Sequence, residues 1–225
     1  MQKTHFLNRI ILVLVSILWS NITAQAEPLS LDKLRHKMEA YYDSGAYERE
    51  INAVAQRAIH YINQRTAVNQ HSKHPQKLAI VLDIDETSLS NYPKMQKRQF
   101  VATKAQLKKE VHEANAPAIK PILALYRDAI QHHVAVFFVT GRHENEREAT
   151  IINLEKTGFN QWQGLYFKPN DYHKNSAIYF KSHAREVITH KGYRIIASIG
   201  DQFSDLKGGF TEARFKLPNP FYYLP

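Results

Sequence analysis

Apolar runs of strand length alternate with amphipathic segments of helix length between residues 77 and 199. This alternation predicts βαβ units and a three-layer α/β domain, with a mostly parallel sheet covered on both faces. Four strands are predicted, at Lys77–Asp83, Val134–Val139, Gly164–Phe167 and Tyr193–Ile199, and three helices, at Pro117–His132, Glu144–Lys156 and Ala177–His190.

The segment before this domain has a different pattern. Residues from Leu31 to about Ala67 predict two helices that are interrupted near Asp43-Ser44-Gly45, and the second has a regular apolar face for packing. The polar stretch from Asn69 to Gln76 favours a boundary. We therefore expect a helical extension at 27–76 and the α/β domain at 77–225, with a short insert at about 92–116.

The first 26 residues have the pattern of an export signal. Lys3 and Arg9 precede an apolar run of about ten residues, and Ala24-Gln25-Ala26 offers small residues at a cleavage site. A bilayer span needs ~20 apolar residues, so an uncleaved membrane anchor is the weaker alternative. The pattern predicts an exported protein, periplasmic or secreted, that is cleaved after Ala26 and keeps no membrane anchor.

The amino-acid composition excludes several kinds of site. The chain has no cysteine, which excludes disulfides, cysteine-ligated zinc, thiol catalysis and lipid attachment through a cysteine. Its formal net charge is +9, from 30 basic and 21 acidic residues, and cleavage after Ala26 would remove two basic residues. Such a surface can attract phosphates and other anions, although a solvated basic surface with no partner is an equal alternative.

Polar groups follow three of the predicted strands. Asp83, Asp85 and Glu86 end the first, Thr140-Gly141-Arg142 follows the second, and Asp201 to Asp205 (DQFSD) follows the last. The carboxyl ends of parallel strands meet at one edge of a sheet, where open sheets bind ligands. Carboxylates from two strands can then share a divalent cation, and oxygen ligands of this kind suit Mg²⁺.

Several stretches together resemble a known family. The segments VLDIDETSLS, VFFVTGRHENEREATIINLEKTG, YFKS, GYRIIASIGDQFSDL and KLPNPFYYLP resemble the subfamily IIIB acid phosphatases of the haloacid dehalogenase (HAD)-like superfamily. That group is similar to bacterial class B/C-type acid phosphatases and plant vegetative storage proteins. The likeness runs from Lys77 to Pro225 and weakens in the helical extension. It implies a Rossmann-like, HAD-like domain and a Mg²⁺-dependent acid phosphatase, which is a phosphoric monoester hydrolase.

The resemblance also implies roles for particular residues. Asp83 would be the nucleophile that forms an aspartyl-phosphate, and Asp85 the general acid and base, for which an acidic pH optimum is expected. One Mg²⁺ per chain would be bound by the Asp83 carboxylate, the Asp85 backbone carbonyl and Asp201, with Asp205 as a further ligand through water. Thr140, Gly141 and Lys181 would bind the phosphoryl group, with Lys174 as the alternative to Lys181.

Other candidates carry two interpretations each. Asn91 and Tyr92 could line the substrate pocket, although Asn91 also suits a turn. Arg142 and Arg147 could contact the substrate, although both also suit ion pairs that hold the helix at Glu144–Lys156. Three aromatic residues could stack on a nucleobase or simply pack in the interior: Trp162, Tyr166 and Tyr172. The short insert excludes a large lid, which favours broad substrate tolerance.

The sequence leaves four functions open. The favoured one is hydrolysis of small phosphate monoesters, with no nucleic-acid polymer as partner. Within enzymes, the alternatives are a nucleotide-preferring phosphatase and a phosphotransferase that passes the phosphoryl group to an alcohol. The alternative of another class is a non-catalytic storage protein that binds anions. The presence of both Asp83 and Asp85 favours an enzyme.

Overall fold

The structure is a computed structural model, and it describes residues 28–224. The predicted signal peptide at 1–26 lies outside the described residues. Of these, residues 35–224 belong to one compact unit. Among the residues that the structure describes, no helix combines the length and apolarity needed to cross a bilayer.

The described part of the chain contains eight α-helices and five strands. In chain order the elements are α1 (Leu31–Asp43), α2 (Ala46–Gln70), β1 (Lys77–Leu82), α3 (Tyr92–Lys97), α4 (Lys104–His112), α5 (Lys120–Gln131), β2 (Ala135–His143), α6 (Arg147–Lys156), β3 (Gly164–Lys168), α7 (Ile178–His190), β4 (Tyr193–Gly200), α8 (Phe203–Leu206) and β5 (Ala213–Lys216). A short 3₁₀ turn, Glu144–Glu146, precedes α6.

The five strands form one sheet in the order β3-β2-β1-β4-β5. Every pairing is parallel, with Ile80 opposite Val136 on one side and Ala197 on the other. β1 is central, and all of its residues after Lys77 are buried, as its continuous apolar sequence requires for a strand covered on both faces. The predicted α/β class with a mostly parallel sheet is therefore confirmed.

Helices cover both faces of this sheet. Leu78, Ile80 and Leu82 of β1 point into one core, which they share with residues of α2, α5 and α6. Ala79 and Val81 point the other way, into a smaller core closed by α7. Alternate residues of a strand face opposite sides, so the two cores give the expected three layers.

The helical extension is part of this packing. Gly45 separates α1 from α2 with φ 71°, a left-handed conformation that suits glycine and explains the predicted interruption. Tyr47, Ile51 and Ile62 of α2 are buried in the same core as β1. The helix α2 therefore covers one face of the sheet.

Other boundaries differ from the predictions. β2 does not stop at Val139 but continues through Thr140 to His143, because it keeps pairing with β3 at His143 and Lys168. The predicted helix at Glu144–Lys156 is divided into the 3₁₀ turn and α6. The insert contains two short helices, α3 and α4, and the edge strand β5 was not predicted.

Candidate active site

The turn after β1 brings Asp83 and its neighbours to the carboxyl edge of the sheet. The Asp83 N–H donates to the Ile199 carbonyl of β4 at 3.1 Å, which continues the ladder by one residue. The chain then folds back, with the Leu89 N–H donating to the Ile84 carbonyl at 2.8 Å and Ser88 Oγ donating to the Asp83 carbonyl at 2.6 Å. Asp83 is thus held in a hydrogen-bonded turn beside two strands.

Lys181 of α7 lies between two carboxylates. Its Nζ donates to Asp83 Oδ1 at 2.7 Å and also to Asp205 Oδ1. All three side chains are buried, with at most 6% of each exposed. Burial alone lowers the pKa of Lys181, but the charges of Asp205 and Asp83 outweigh it and raise the pKa, so the lysine is cationic. Lys174 instead lies over the Tyr179 ring, 4.4 Å from its centroid, and is exposed.

Three buried carboxylates converge here. Asp83, Asp201 and Asp205 each offer an oxygen within 4.8 Å of the others. Burial and the charge of Asp205 raise the pKa of Asp201 to about 6, and the same two causes raise the pKa of Asp83. Lys181 offsets only part of this negative charge. A set of clustered carboxylate oxygens fits a hard divalent cation such as Mg²⁺.

Asp201 is held by three donors. Thr87 Oγ1 donates to its Oδ1 at 3.0 Å, while Gln202 Nε2 and Asn219 Nδ2 both donate to its Oδ2 at 2.7 Å. Asp205 accepts from the Gln202 N–H at 2.8 Å through the oxygen that Lys181 does not contact. Both oxygens of Asp205, like both oxygens of Asp201, therefore accept hydrogen bonds from the protein.

Asp85 lies on the other side of the turn and pairs with Arg142. Arg142 Nη2 donates to Asp85 Oδ1 at 2.7 Å and Nε to Oδ2 at 3.0 Å, and Asn91 Nδ2 donates to Oδ1 at 2.8 Å. Burial acts to raise the pKa of Asp85, but the charge and hydrogen bonds of Arg142 lower it below the ordinary value. The ionised form is favoured, whereas proton donation to a leaving group requires the protonated form.

Arg142 borders the cavity and also contacts the helix α6, through a hydrogen bond instead of the predicted ion pair. Its other nitrogen, Nη1, donates to Thr150 Oγ1 of α6 at 3.1 Å, so the guanidinium links the helix to Asp85 at the cavity. Arg147 pairs with Glu144 and lies over the Phe167 ring, 4.5 Å from its centroid.

The Thr140-Gly141 pair lies within β2. Thr140 is fully buried, and its Oγ1 accepts from the Arg142 N–H at 3.1 Å, which leaves the hydroxyl proton free to be donated. Gly141 borders the cavity, and a Cβ placed there would meet nothing within 4 Å. The space beside Gly141 is open to a bound group, because no protein atom fills it.

A cavity of about 510 Å³ is bordered by Asp83, Asp85, Gly141, Arg142, Lys181 and Asp201. Its lining includes the charged side chains of Asp83, Arg142 and Lys181. The insert contributes mainly apolar residues to the lining, namely Met95, Phe100, Ala102, Leu107 and Val111, together with Arg98 and Glu110.

Several sequence candidates lie elsewhere. Tyr92 does not border the cavity; its ring stacks on Tyr42 at 3.5 Å between centroids, in the interior. Trp162 packs edge-on against Phe138, and Tyr166 packs against Phe137, as in the interior interpretation. Tyr172 does border the cavity.

Sequence reasoning gave no role to Glu86, Gln202 or Asn219. Glu86 is buried, and its carboxylate accepts from the Asn91 N–H at 2.5 Å and from the Tyr222 hydroxyl at 2.9 Å. Burial and the charges of Asp85 and Asp201 raise its pKa to about 8. Asn219 and Tyr222 belong to the stretch KLPNPFYYLP, which resembles the family but by itself indicates no role for either residue.

Comparisons with solved structures support the fold. The class C acid phosphatase from Bacillus anthracis superposes with a TM-score of 0.65 over 86% of each chain, at 21% sequence identity. A second structure of that protein, with tungstate bound, gives a TM-score of 0.67 at 19% identity. At this level of identity the likeness establishes the fold.

Sequence comparisons identify the family. Acid phosphatase 1 from Solanum lycopersicum is 38% identical over 148 residues, 64% of this chain and 58% of that protein. The stem 28 kDa glycoprotein from Glycine max is 36% identical over 190 residues, 82% of this chain and 72% of that protein. The profile of the HAD superfamily, subfamily IIIB (Acid phosphatase), matches residues 7–225. This chain belongs to that family.

Proposed function

We propose that this protein is an exported, Mg²⁺-dependent acid phosphatase that hydrolyses small phosphate monoesters through an aspartyl-phosphate at Asp83. The observation that carries the proposal is the position of Asp83 at the border of the cavity, next to Lys181 and two further carboxylates. There Lys181 holds one of its oxygens, and Asp201 and Asp205 lie within 4.8 Å. Uncatalysed hydrolysis of phosphate monoesters is extremely slow, so positioning and charge neutralisation must supply most of the rate.

The metal ligands would be the Asp83 carboxylate, the Asp85 backbone carbonyl and the Asp201 carboxylate, with Asp205 acting through water. The bound cation would neutralise the carboxylates and the phosphoryl oxygens. Lys181 adds a fixed positive charge from the protein itself. Together they would let a dianionic substrate approach a nucleophile that is itself negative.

Burial raises the pKa of Asp83, whereas Lys181 and a bound cation would favour the ionised form that attacks phosphorus. Lys181 fixes Oδ1, and Oδ2 accepts no hydrogen bond from residues 28–224. Attack by a carboxylate oxygen forms the aspartyl-phosphate and breaks the bond from phosphorus to the leaving oxygen. The Thr140 hydroxyl would donate to a phosphoryl oxygen, in the space that Gly141 leaves open.

Asp85 would move the protons. It would donate to the leaving oxygen and then accept a proton from the water that attacks phosphorus, which releases phosphate and restores Asp83. Arg142 opposes the first of these steps by lowering the pKa of Asp85. A bound phosphate dianion raises the pKa of a nearby carboxyl and competes for the guanidinium, so substrate binding favours the protonated form.

The test is phosphate release from an aryl phosphate at pH 5–6 by the chain from residue 27 onward. Wild type, Asp83→Asn and the exposed control Asp171→Asn are compared with Mg²⁺ and with chelator. We expect activity in wild type and in Asp171→Asn, and its loss in Asp83→Asn and after chelation. An inert wild type would favour the storage and anion-binding alternative, and an active Asp83→Asn would eliminate the nucleophile assignment.

A second experiment separates the enzyme alternatives. A covalent phosphoenzyme can pass its phosphoryl group to an added alcohol, so glycerol should yield glycerol phosphate in competition with free phosphate. Dominant glycerol phosphate would identify a phosphotransferase, and comparison of aryl phosphates with nucleoside monophosphates would reveal a nucleotide preference. Cleavage after Ala26 is tested by N-terminal sequencing of the exported protein.

A further inference from the structure

The segment after β5, residues 217–224 (the tail segment), contacts three residues at the carboxyl edge of the sheet. Asn219 Nδ2 donates to Asp201 Oδ2 at 2.7 Å, and the Leu224 N–H donates to Gln202 Oε1 at 3.2 Å. The Tyr222 hydroxyl donates to Glu86 Oε2 at 2.9 Å. A segment without regular secondary structure thus supplies donors to the surroundings of the proposed metal site.

The tail segment is firmly anchored. Leu217 is fully buried, and its N–H donates to the Gly200 carbonyl, the last residue of β4, at 2.9 Å. Phe221 is 7% exposed and packs against Tyr47 and Tyr92, with centroids 5.2 and 5.1 Å away. Donors carried by such a segment have fixed positions.

The orientation of the Asn219 amide follows from its partners. Its Oδ1 accepts from the Phe221 N–H at 2.9 Å, which leaves the NH₂ group for Asp201. A flipped amide would place two donors against the Phe221 N–H and an oxygen against a carboxylate, and both contacts would be repulsive. The donor to Asp201 is therefore fixed by the tail backbone.

Both amides that hold Asp201 Oδ2 depend on the tail segment. Asn219 belongs to it, and Gln202 is held from the other side by the Leu224 N–H. Groups that hydrogen-bond a metal-binding carboxylate orient it, and their loss typically lowers metal affinity about 10–100-fold.

We propose that the tail segment positions the metal site, with Asn219 acting as a positioning residue for the Asp201 carboxylate. This inference rests on the divalent-cation site of the proposed function. The tail acts through Asp201, so it determines how tightly the cation is bound and leaves the chemistry of the loaded site largely unchanged.

The test measures cation binding directly. Mg²⁺ is titrated calorimetrically into wild type, Asn219→Leu and Tyr223→Ala, each freed of divalent ions beforehand. Asn219→Leu keeps the side-chain size but removes both the donor to Asp201 and the acceptor of the Phe221 N–H. Tyr223 is a tail residue that is 73% exposed. We expect the Mg²⁺ dissociation constant to rise about 10–100-fold in Asn219→Leu and less than twofold in Tyr223→Ala.

A kinetic comparison separates positioning from general damage to the structure. With an aryl phosphate, Asn219→Leu should need about 10–100-fold more Mg²⁺ for half-maximal activity but reach a kcat within about threefold of wild type. Gln202→Met, which removes the second amide, should shift the Mg²⁺ requirement in the same direction. This second variant keeps the inference testable should Asn219→Leu fail to fold.

The outcomes for the two proposals are distinct. An unchanged Mg²⁺ dissociation constant in folded Asn219→Leu, or a lower kcat with no change in Mg²⁺ requirement, would overturn the positioning role. If wild type binds Mg²⁺ but hydrolyses no phosphate ester, the proposed function fails, and a weakened Mg²⁺ affinity in Asn219→Leu would still support the positioning role. A wild type that binds no divalent cation would overturn both.

Discussion

Replacing Lys181 by methionine removes the positive charge that lies between Asp83 and Asp205 while it keeps the length of the side chain. The methionine leaves three buried carboxylates next to one another without their nearest cation. We expect this change to destabilise the metal-free protein strongly. Lys174→Met is the matched control, because Lys174 is exposed and contacts the Tyr179 ring instead of a carboxylate.

The expected loss of stability follows from the distance between Lys181 and its partner carboxylates. Lys181 Nζ lies 2.7 Å from Asp83 Oδ1, and opposite unit charges at this distance attract by about 6 kcal/mol at an effective dielectric constant of 20. The burial of the ammonium group offsets part of this attraction, and removal of one partner from a buried ion pair costs about 3–5 kcal/mol in proteins. We therefore expect Lys181→Met to lose about 3–5 kcal/mol of unfolding free energy at pH 8, and Lys174→Met less than about 0.5 kcal/mol.

The assay is urea unfolding followed by circular dichroism at pH 8 in chelator. The loss in Lys181→Met should shrink in excess Mg²⁺, because a bound cation replaces part of the missing positive charge. It should also shrink towards pH 5, because burial and Asp205 already raise the pKa of Asp83, so that a proton can neutralise the carboxylate. A loss below about 1 kcal/mol, or one equal to that of Lys174→Met, would refute the reasoning.

Three further predictions concern other parts of the molecule. Hydrogen bonds from Arg65 lower the pKa of Glu212 to about 2, so Glu212→Gln should lower the free energy of unfolding by about 1–2 kcal/mol at pH 7. In urea unfolding at decreasing pH, the difference from wild type should disappear between about pH 4.5 and 2 as Glu212 is protonated. Arg142→Lys keeps the positive charge beside Asp85 but loses the forked contact that orients its carboxylate. Because a misplaced carboxylate transfers protons poorly, kcat/KM for an aryl phosphate should fall at least about tenfold. Phe221→Ala should lose about 3 kcal/mol in thermal unfolding, against less than about 0.5 for exposed Tyr223→Ala. These predictions would be contradicted by a Glu212→Gln effect that persists at pH 2, by full activity in Arg142→Lys, or by equal losses of stability in Phe221→Ala and Tyr223→Ala.

Much of the fold could be predicted because each element has a recognisable pattern within its own stretch of sequence. The apolar run KLAIVL identifies a strand buried on both faces, and the break at Gly45 follows from glycine chemistry. β5 was missed because its four residues, ARFK, include two charged ones and are too few for a period to emerge. The extension of β2 to His143 depends on pairing with β3, which no local pattern contains.

Part of the candidate site could also be predicted from the sequence. Strand ends and family-like motifs pointed to Asp83, Asp201 and Lys181, which the structure brings together. The pairing of Asp85 with Arg142 could not be predicted, because Arg142 had an equally reasonable partner on α6. Asn219 was missed because its contact with Asp201 depends on where the tail segment folds, which is a property of the whole domain.

The order of the elements along the chain has a consequence for biosynthesis. Asp83 is made first, Lys181 follows on α7, and Asp201 and Asp205 follow only with β4 and α8. A chain that emerges from its amino end therefore presents the counter-ion of Asp83 before the other two carboxylates exist. The negative charges come together last, when β4 docks beside β1. The repulsion of Asp83 by Asp201 and Asp205 is therefore absent while the first part of the sheet forms.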